Sequence, residues 1–285
     1  LHLLLPFRLP IVMGNDCSGV VEAVGAEVTR FKPGDEVYAR VGKDRLGTFA
    51  EQTILLEAET ALKPRRLSHV EAASLPLVGL TAWQALIDIA HTQAGQKVLI
   101  HAGAGGVGTF AIQLASRHLR ARTLTTASAV DHARLKALGA DVLIDYKTQD
   151  FTAQVKDVDV VFDTQGGVTL EKSFRVARRG GHIVSIGAIP YRKSLQDFRL
   201  PFGAGLLLDM INWRLFRLAR LREVHYTYLF MRPSGEQLAE MARLVDDGAI
   251  QAVVDQVFPL GRAEEALQYV KAGRAKGKVV LDLTL

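Results

Sequence analysis

One glycine-rich segment constrains the fold of this chain more than any other feature. Residues 98–114 read as an apolar strand, a turn and the start of a helix. Gly103, Gly105 and Gly108 occupy the glycine positions of the pattern G-x-G-x-x-G. There the first glycine permits a tight turn, the second lets the backbone approach a diphosphate, and the third lets helix and strand pack closely. The segment predicts a dinucleotide-binding turn; a structural turn that binds nothing is the alternative.

Length and composition indicate a globular protein with two domains. The chain has 285 residues, 48% of them hydrophobic, which suffices for a core in each domain. Cys17 is the single cysteine, so an intrachain disulfide and a four-cysteine zinc cluster are excluded, and a cytoplasmic location is predicted. The net charge of +5 is dispersed along the sequence and does not indicate nucleic acid as a partner.

The apolar pattern changes its period along the chain. Short alternations interrupted by glycine and proline, at 19–25, 31–38 and 47–51, indicate a small antiparallel β barrel or sandwich. Residues 68–90 have a helical period, and beyond them strands and helices alternate as in a doubly wound parallel sheet. The candidate strands of that sheet are 98–102, 122–126, 142–146, 158–162 and 182–187, with 224–230 as a sixth.

The last part of the chain does not continue this alternation. Helices are predicted at 234–247 and 262–272, an extended segment at 257–260 and a final strand at 278–283. We therefore expect these elements to return to the first domain.

Residues 200–224 combine apolar positions with arginines. Arg214, Arg217 and Arg220 recur at threefold spacing, which is typical of a basic amphipathic helix that lies on an anionic bilayer. A helix that covers the sheet or a subunit interface is the other interpretation. The second interpretation is favoured, because apolar stripes at helical spacing usually face a core.

The end of the second candidate strand bears on the choice of cofactor. An acid there would bond a ribose 2′-hydroxyl and repel a 2′-phosphate, but residues 123–128 contain none. Ser128, His132 and Arg134 can instead approach a phosphate, whereas Asp131 opposes one. NADP is the predicted cofactor; Ser128 as a cap of the next helix is the alternative.

Motifs along nearly the whole chain resemble one enzyme family. These motifs are 14–21, 31–37, 79–82, 102–108, 139–141 with 144–146, and 277–281. They are similar to the zinc-independent quinone oxidoreductase and enone reductase branch of the medium-chain dehydrogenase/reductase superfamily. The segments from 224 to 231 and at 258–260 are most similar to the enone reductase and reticulon-interacting-protein-like members.

The resemblance implies an α/β fold with two domains. A GroES-like β barrel domain would comprise 1–77 and 233–285, and a Rossmann doubly wound domain that binds NADP would comprise 78–232. A homodimer paired through the cofactor domains is also implied. Relatives carry further barrel strands ahead of the segment that matches Gly14, so we expect these strands to be missing here. The sequence does not decide whether the 285 residues are active by themselves.

The resemblance also implies which residues contact the cofactor. They are Gly105, Gly106 and Val107 at the pyrophosphate, beside the motif glycines Gly103 and Gly108; Ser128 and Tyr146 at the 2′-phosphate; Gly187 at the nicotinamide ribose; Phe230 and Met231 at the nicotinamide pocket; Thr81 at the nicotinamide or phosphate end; and Lys278 at a phosphate. The structural alternatives are a helix cap for Thr81, a packed strand end for Tyr146 and a solvated charge for Lys278.

No zinc ligands are found where zinc-containing relatives have them. Asn15 replaces the histidine of the Gly-His-Glu motif, and 77–79 contain no cysteine. Alcohol oxidation on a Lewis acid is therefore not predicted.

The predicted activity is NADPH-dependent reduction of quinones or α,β-unsaturated carbonyls. Hydride would pass from nicotinamide C4 to the ring or the β-carbon, followed by protonation of the resulting anion. Asp16, Tyr38 and Tyr226 are the candidate proton donors, and solvent is another. The alternatives are a cofactor-binding protein without turnover and a zinc alcohol dehydrogenase.

Overall fold

The computed structural model describes residues 10–43, 45–196, 198, 200–273 and 275–285. They form two compact units. The first contains the residues up to Leu80 together with Gly105–Phe110 and Met231–Leu285, and the second contains Thr81–Ala104 and Ala111–Phe230. The domain boundaries inferred from the sequence stay a prediction.

The secondary structure of the described residues alternates between strand and helix through most of the chain. The strands are β1 (Asp16–Val20), β2 (Glu36–Arg40), β3 (Thr60–Leu62), β4 (Lys97–Ile100), β5 (Arg122–Ala127), β6 (Val142–Asp145), β7 (Val158–Asp163), β8 (Ala177–Ser185), β9 (His225–Tyr228), β10 (Val254–Pro259) and β11 (Lys278–Asp282). The helices are α1 (His69–Ala73), α2 (Pro76–Trp83), α3 (Gly106–Gln113), α4 (His132–Ala137), α5 (Phe151–Gln154), α6 (Gly167–Val176), α7 (Ala204–Ile211), α8 (Trp213–Arg222), α9 (Gly235–Asp246) and α10 (Ala263–Lys271).

The second unit is built on a six-stranded sheet in the order β6-β5-β4-β7-β8-β9, with every neighbouring pair parallel. Its central strands are apolar on both faces because helices cover both sides. Leu99 on β4, Val161 on β7 and Ile183 on β8 are fully buried in one core cluster with Phe174 of α6. This is the order of a dinucleotide-binding sheet, and the predicted fold class is confirmed.

The first unit holds an antiparallel sheet, β1-β2-β3, and a pair of strands, β10 and β11. The antiparallel pairing predicted for the N-terminal segment is present in β1-β2-β3, whereas β10 and β11, from the last part of the chain, are parallel. Segment 47–51 forms no strand, although Phe49 N donates to Met13 O over 2.9 Å. Gly14 and Gly47 have φ values of 99° and 142°, which interrupt regular pairing there.

Several strands begin or end elsewhere than predicted. The predicted strand 19–25 is β1, which ends at Val20, and 182–187 is β8, which starts at Ala177 and stops at Ser185. β4 stops before Ala102, whose φ is 53°. The sixth candidate strand is present as β9.

Residues 200–224 form two helices rather than one. Asn212 separates α7 from α8, and its side-chain Nδ2 donates to Leu208 O over 2.9 Å. Leu215, Leu218 and Ala219 of α8 pack against the core of the sheet, so the covering role favoured from the sequence is present in α8. In the described parts of the chain, no helix is long and apolar enough to cross a membrane.

Candidate active site

Gly103, the first glycine of the motif, lies where no side chain fits. A methyl group on its Cα would come within 2.1 Å of Thr125 Oγ1, a hydroxyl that donates to Ile100 O over 2.7 Å. Gly103 N donates to Thr126 O over 3.0 Å. The turn that follows β4 is therefore held by the adjacent strand β5.

Of the other two motif glycines, Gly105 directly precedes helix α3 and Gly108 lies in its first turn, and both belong to the first unit. Gly106, Val107 and Gly108 form its first turn, directly after Gly105. The first N–H groups of a helix have no partner within that helix and carry its positive dipole end. The Lys278 stem lies alongside, with Cδ 2.9 Å from the position of a Cβ on Gly106. Free amides beside a lysine fit an anionic diphosphate.

The residues predicted at the 2′-phosphate follow two neighbouring strands. The register pairs Ala127 of β5 with Asp145 of β6, and Ser128 and Tyr146 come next on each strand. Ser128 makes no capping bond to the 3₁₀ turn that follows it, so the helix-cap alternative is wrong. Tyr146 is 62% exposed and is not a packed strand end.

Asp131, the acid that opposed a phosphate in the sequence, has a cationic partner. It is buried, and its Oδ1 lies 3.3 Å from Arg134 Nη2. Arg134 also donates to Ala104 O over 3.3 Å, which links α4 to the glycine turn. His132 lies at the start of α4, and its buried Nε2 has no hydrogen-bond partner in the described part of the chain.

A carboxylate and a hydroxyl hold the loops that follow β7 and β8. Ser185 Oγ donates to Asp163 Oδ2 over 2.6 Å and accepts from Gly187 N at 3.3 Å and Ala188 N at 3.2 Å. Asp163 also accepts from Gly166 N at 3.1 Å. Burial raises the pKa of this carboxyl, and the bonds from Ser185 and the loop amides oppose that shift.

The two loops approach each other so closely that Gly187 has no room for a side chain. A Cβ there would lie 2.7 Å from Gly166 N. Asp163 and Ser185 were not among the residues predicted from the sequence. Their signals were an acid at the end of an apolar strand, followed by a glycine pair at 166–167, and a serine two residues before Gly187.

The remaining predicted contacts fall in different places. Thr81 is buried inside α2 rather than at its N-terminus, so it is not a helix cap. Phe230, two residues after β9, packs edge-on against Phe198 with ring centroids 4.6 Å apart. Met231 is half-buried and begins the last segment of the first unit.

The three candidate proton donors lie in different surroundings. Tyr38 is fully buried and donates to Leu238 O over 2.6 Å, so it is a structural residue. Tyr226 packs in an aromatic cluster with Phe174 at 5.8 Å, and burial raises its pKa.

Asp16 keeps the features of a titratable site residue. It accepts from Leu77 N over 3.1 Å and lies 3.6 Å from Lys278 Nζ. Burial raises the pKa of its carboxyl, and the Lys278 ammonium opposes that shift.

The residues where relatives hold zinc do not fit that metal. Asn15 offers an amide oxygen, which is buried and lacks a partner in the described part of the chain. Leu77, Val78 and Gly79 lie in α2 and carry no donor side chain. Over residues 10–43, 45–196, 198, 200–273 and 275–285, no group of three or more His, Cys, Asp or Glu side chains could hold a metal ion.

Comparison with known proteins agrees with this geometry. Residues 138–281 match the family described as zinc-binding dehydrogenase, and residues 4–65 match the alcohol dehydrogenase GroES-like domain. The mitochondrial NAD(P)H oxidoreductase RTN4IP1 of Bos taurus is 35% identical over 97% of this chain and 71% of its own length. The 2-methylene-furan-3-one reductase of Solanum lycopersicum is 34% identical over 96% of this chain and 64% of its own length.

The chain belongs to the quinone oxidoreductase and enone reductase branch of the medium-chain dehydrogenase/reductase superfamily. The quinone oxidoreductase structure from Coxiella burnetii superposes with a TM-score of 0.78 at 31% identity, covering 97% of this chain and 80% of that one. The structure of an NAD-dependent alcohol dehydrogenase gives 0.81 at 33% identity, covering 98% and 84%. The protein is thus an oxidoreductase of a family that uses a nicotinamide cofactor.

Proposed function

We propose that this protein is an NADPH-dependent reductase of quinones or α,β-unsaturated carbonyls that works without zinc. The observation that carries the proposal is the charge arrangement after β5. Ser128 follows this strand with its hydroxyl not used as a cap. Of the two acids nearby, Asp131 is buried against Arg134, and Asp145 accepts hydrogen bonds from Lys147 N and Thr148 Oγ1. A 2′-phosphate there would meet hydroxyl and guanidinium groups rather than an unpaired carboxylate.

The chain's own residues position the reactants. The first turn of α3 and Lys278 would bind the diphosphate, and Ser128 and Tyr146 would bind the 2′-phosphate. Asp163 and Ser185 hold the loop of Gly187, which orients the nicotinamide ribose. When bound, NADPH supplies the hydride.

An electrophilic substrate needs no metal to accept that hydride, provided that a proton reaches the product anion. Solvent is one source of that proton, and Asp16, whose carboxyl has a raised pKa, is the candidate side chain. The neutral amide of Asn15, a poor zinc ligand, and the lack of donor side chains at 77–79 support a zinc-free reaction. The quinone and enone reductases among the relatives support the substrate class.

The test compares nucleotides and acceptors on the purified protein. We expect NADPH to bind at least about tenfold more tightly than NADH in a fluorescence titration. We also expect the protein to oxidise NADPH with 9,10-phenanthrenequinone or an enone, with no stoichiometric metal by elemental analysis. NADH binding as tightly as NADPH contradicts the cofactor assignment, and NADPH binding without turnover supports the non-catalytic alternative.

A substitution separates charge from shape at the same position. Ser128→Asp would set a carboxylate against the 2′-phosphate and is expected to reduce NADPH affinity at least about tenfold while sparing NADH. Ser128→Asn, which is similar in size but neutral, should leave the preference for NADPH in place. Equal effects of both variants would contradict the assigned contact.

A homodimer and a cytoplasmic location also stay proposals. Light scattering would test the first, and cell fractionation would test the second.

A further inference from the structure

Helix α7 presents an apolar face to solvent. Leu206, Leu207, Met210 and Ile211 are all exposed, Met210 to 73% and Leu206 to 60%. They recur at the i, i+1, i+4, i+5 spacing that places them on one side of a helix. The opposite side carries Gly205, which is buried. An ordinary surface helix has the reverse arrangement, with its polar face outward.

Helix α8 has two different faces. Leu215, Leu218 and Ala219 pack against the core of the sheet. The other side exposes Trp213 to 60% and Leu221 to 67%. The exposed apolar residues of α8 are therefore not the ones that cover the sheet.

The charges around these residues are mainly cationic. The guanidinium of Arg217 lies 5.6 Å from the centroid of the Trp213 ring. Arg220 forms no ion pair with the part of the chain that the structure describes, and the same holds for Arg222. Both are exposed.

The acidic groups next to this region already have partners. Asp209 Oδ2 lies 3.4 Å from Arg192 Nε, and Glu171 lies 2.8 Å from Arg214. Their negative charge is compensated within the fold. The exposed residues of α7 and α8 therefore carry a net positive charge.

We propose that this surface binds the interface of an anionic lipid bilayer. It comprises Leu206, Leu207, Met210, Ile211, Trp213, Arg217, Arg220 and Leu221, and we term it the α7–α8 surface. Apolar side chains enter the acyl boundary, tryptophan prefers the level of the headgroups, and arginines attract anionic lipid. The proposal concerns peripheral contact and does not depend on the proposed enzymatic function.

A second copy of the chain suits this surface less well. A twofold interface pairs a surface with itself, so Arg217 and Arg220 would meet residues of that same surface on the partner. No exposed acid of the α7–α8 surface is available to compensate them. A bilayer containing phosphatidylglycerol supplies the missing negative charge.

The two tryptophans of the chain permit a specific optical test. Trp83→Phe leaves Trp213 as the only tryptophan. With vesicles of phosphatidylcholine and phosphatidylglycerol, we expect the Trp213 emission to shift to the blue and to be quenched by brominated lipid. Vesicles of phosphatidylcholine alone should give at least about tenfold weaker binding. No shift and no cosedimentation with anionic vesicles at low salt would overturn the proposal.

Variants separate the apolar from the electrostatic contribution. Leu206→Ser with Met210→Ser, and Arg217→Glu with Arg220→Glu, should each reduce vesicle binding at least about tenfold while leaving the circular dichroism unchanged.

The matched control lies on α10, where Leu267 and Val270 are exposed to 43% and 50%. Leu267→Ser with Val270→Ser should bind vesicles as the parent does, and an equal loss in this control would overturn the assignment. If the parent protein does not bind vesicles and is a dimer that Leu206→Ser with Met210→Ser dissociates, the surface is a subunit interface. That result would also overturn the proposal of lipid binding.

Discussion

At the scale of single residues, the site depends on glycines whose neighbouring atoms leave no room for a side chain. Gly103 faces Thr125, whose hydroxyl is already committed to Ile100 O. Gly187 faces the backbone at Gly166. The motif explained Gly103 by a tight turn, and the family resemblance placed Gly187 at the nicotinamide ribose; the structure adds a steric reason within the protein for both glycines.

We expect Gly103→Ala to lower the free energy of unfolding by about 1–3 kcal/mol, because the added methyl group must displace Thr125. NADPH affinity should fall as well, since the turn moves with Thr125. Urea unfolding and a fluorescence titration measure the two effects. Gly261→Ala is the control, because nothing lies within 4 Å of a Cβ there, and its stability should stay within about 0.5 kcal/mol of the parent. Similar losses in both variants would contradict the steric argument.

We expect Ser185→Ala to destabilise the protein by about 1–2 kcal/mol and to weaken NADPH binding about tenfold. The hydroxyl joins Asp163 to the amides of Gly187 and Ala188, so its loss frees the loop. Thr60→Val removes another buried hydroxyl, one that donates to Leu56 O over 2.8 Å, and should leave NADPH affinity unchanged. A loss of stability in Ser185→Ala without a loss of affinity would argue against a positioning role.

At the scale of elements, the functional residues collect where the parallel strands end. Gly103, Ser128, Tyr146 and Gly187 follow β4, β5, β6 and β8 within three residues. Since the carboxyl ends of parallel strands lie along one edge of a sheet, a single topology brings these residues to the same edge. Several predicted strands run past the true ends, because residues such as Ala102, Ile186 and Leu229 continue the apolar pattern of the strand.

The N-terminus of helix α5 carries a carboxylate whose contribution to stability should depend on pH. Asp150 caps it by accepting from Thr152 N at 3.0 Å, and it lies 2.7 Å from Lys172 Nζ of α6. The bond from Lys172, with those from Thr152, lowers the pKa of Asp150 to about 2. A lowered carboxyl pKa contributes stability above the unfolded value of 3.8 and loses it as the pH falls towards 2.

We therefore expect Asp150→Asn, which retains a cap but not the charge, to be less stable than the parent at pH 7. The difference should shrink as the pH falls below 4 towards 2, as urea unfolding over a pH series would show. The stability difference between Lys172→Met and the parent should depend on pH in the same way. A difference independent of pH would rule out the ion pair as its source.

At the scale of the whole molecule, acid stability is expected to depend on His101. This side chain is fully buried at the end of β4, between Thr126 Oγ1 at 3.1 Å and Ser173 Oγ at 3.0 Å. Burial lowers its pKa from 6.5 to about 4. Between these values the unfolded chain binds a proton that the folded protein does not, so stability falls as the pH decreases.

We expect His101→Gln to be less stable than the parent at pH 7 by about 1–3 kcal/mol, because Thr126 Oγ1 and Ser173 Oγ each lose the imidazole as a hydrogen-bond partner and keep only Ala102 N and Thr169 O. The gap should narrow as the pH falls from 6.5 to 4, since the variant has no imidazole to protonate. Thermal unfolding over this pH range measures it. A gap that widens on acidification would mean that His101 is charged in the folded protein.

The sequence by itself determined the parallel sheet, the glycine turn and the strand end without an acid, because each is a local pattern with a characteristic period or spacing. Only the tertiary structure decided that Asp163 meets Ser185, that Asp131 is compensated by Arg134, that Lys278 lies beside Gly106, and that α7 turns its apolar side to solvent. Contacts between distant residues depend on how elements pack, and an apolar stripe in the sequence does not say what covers it.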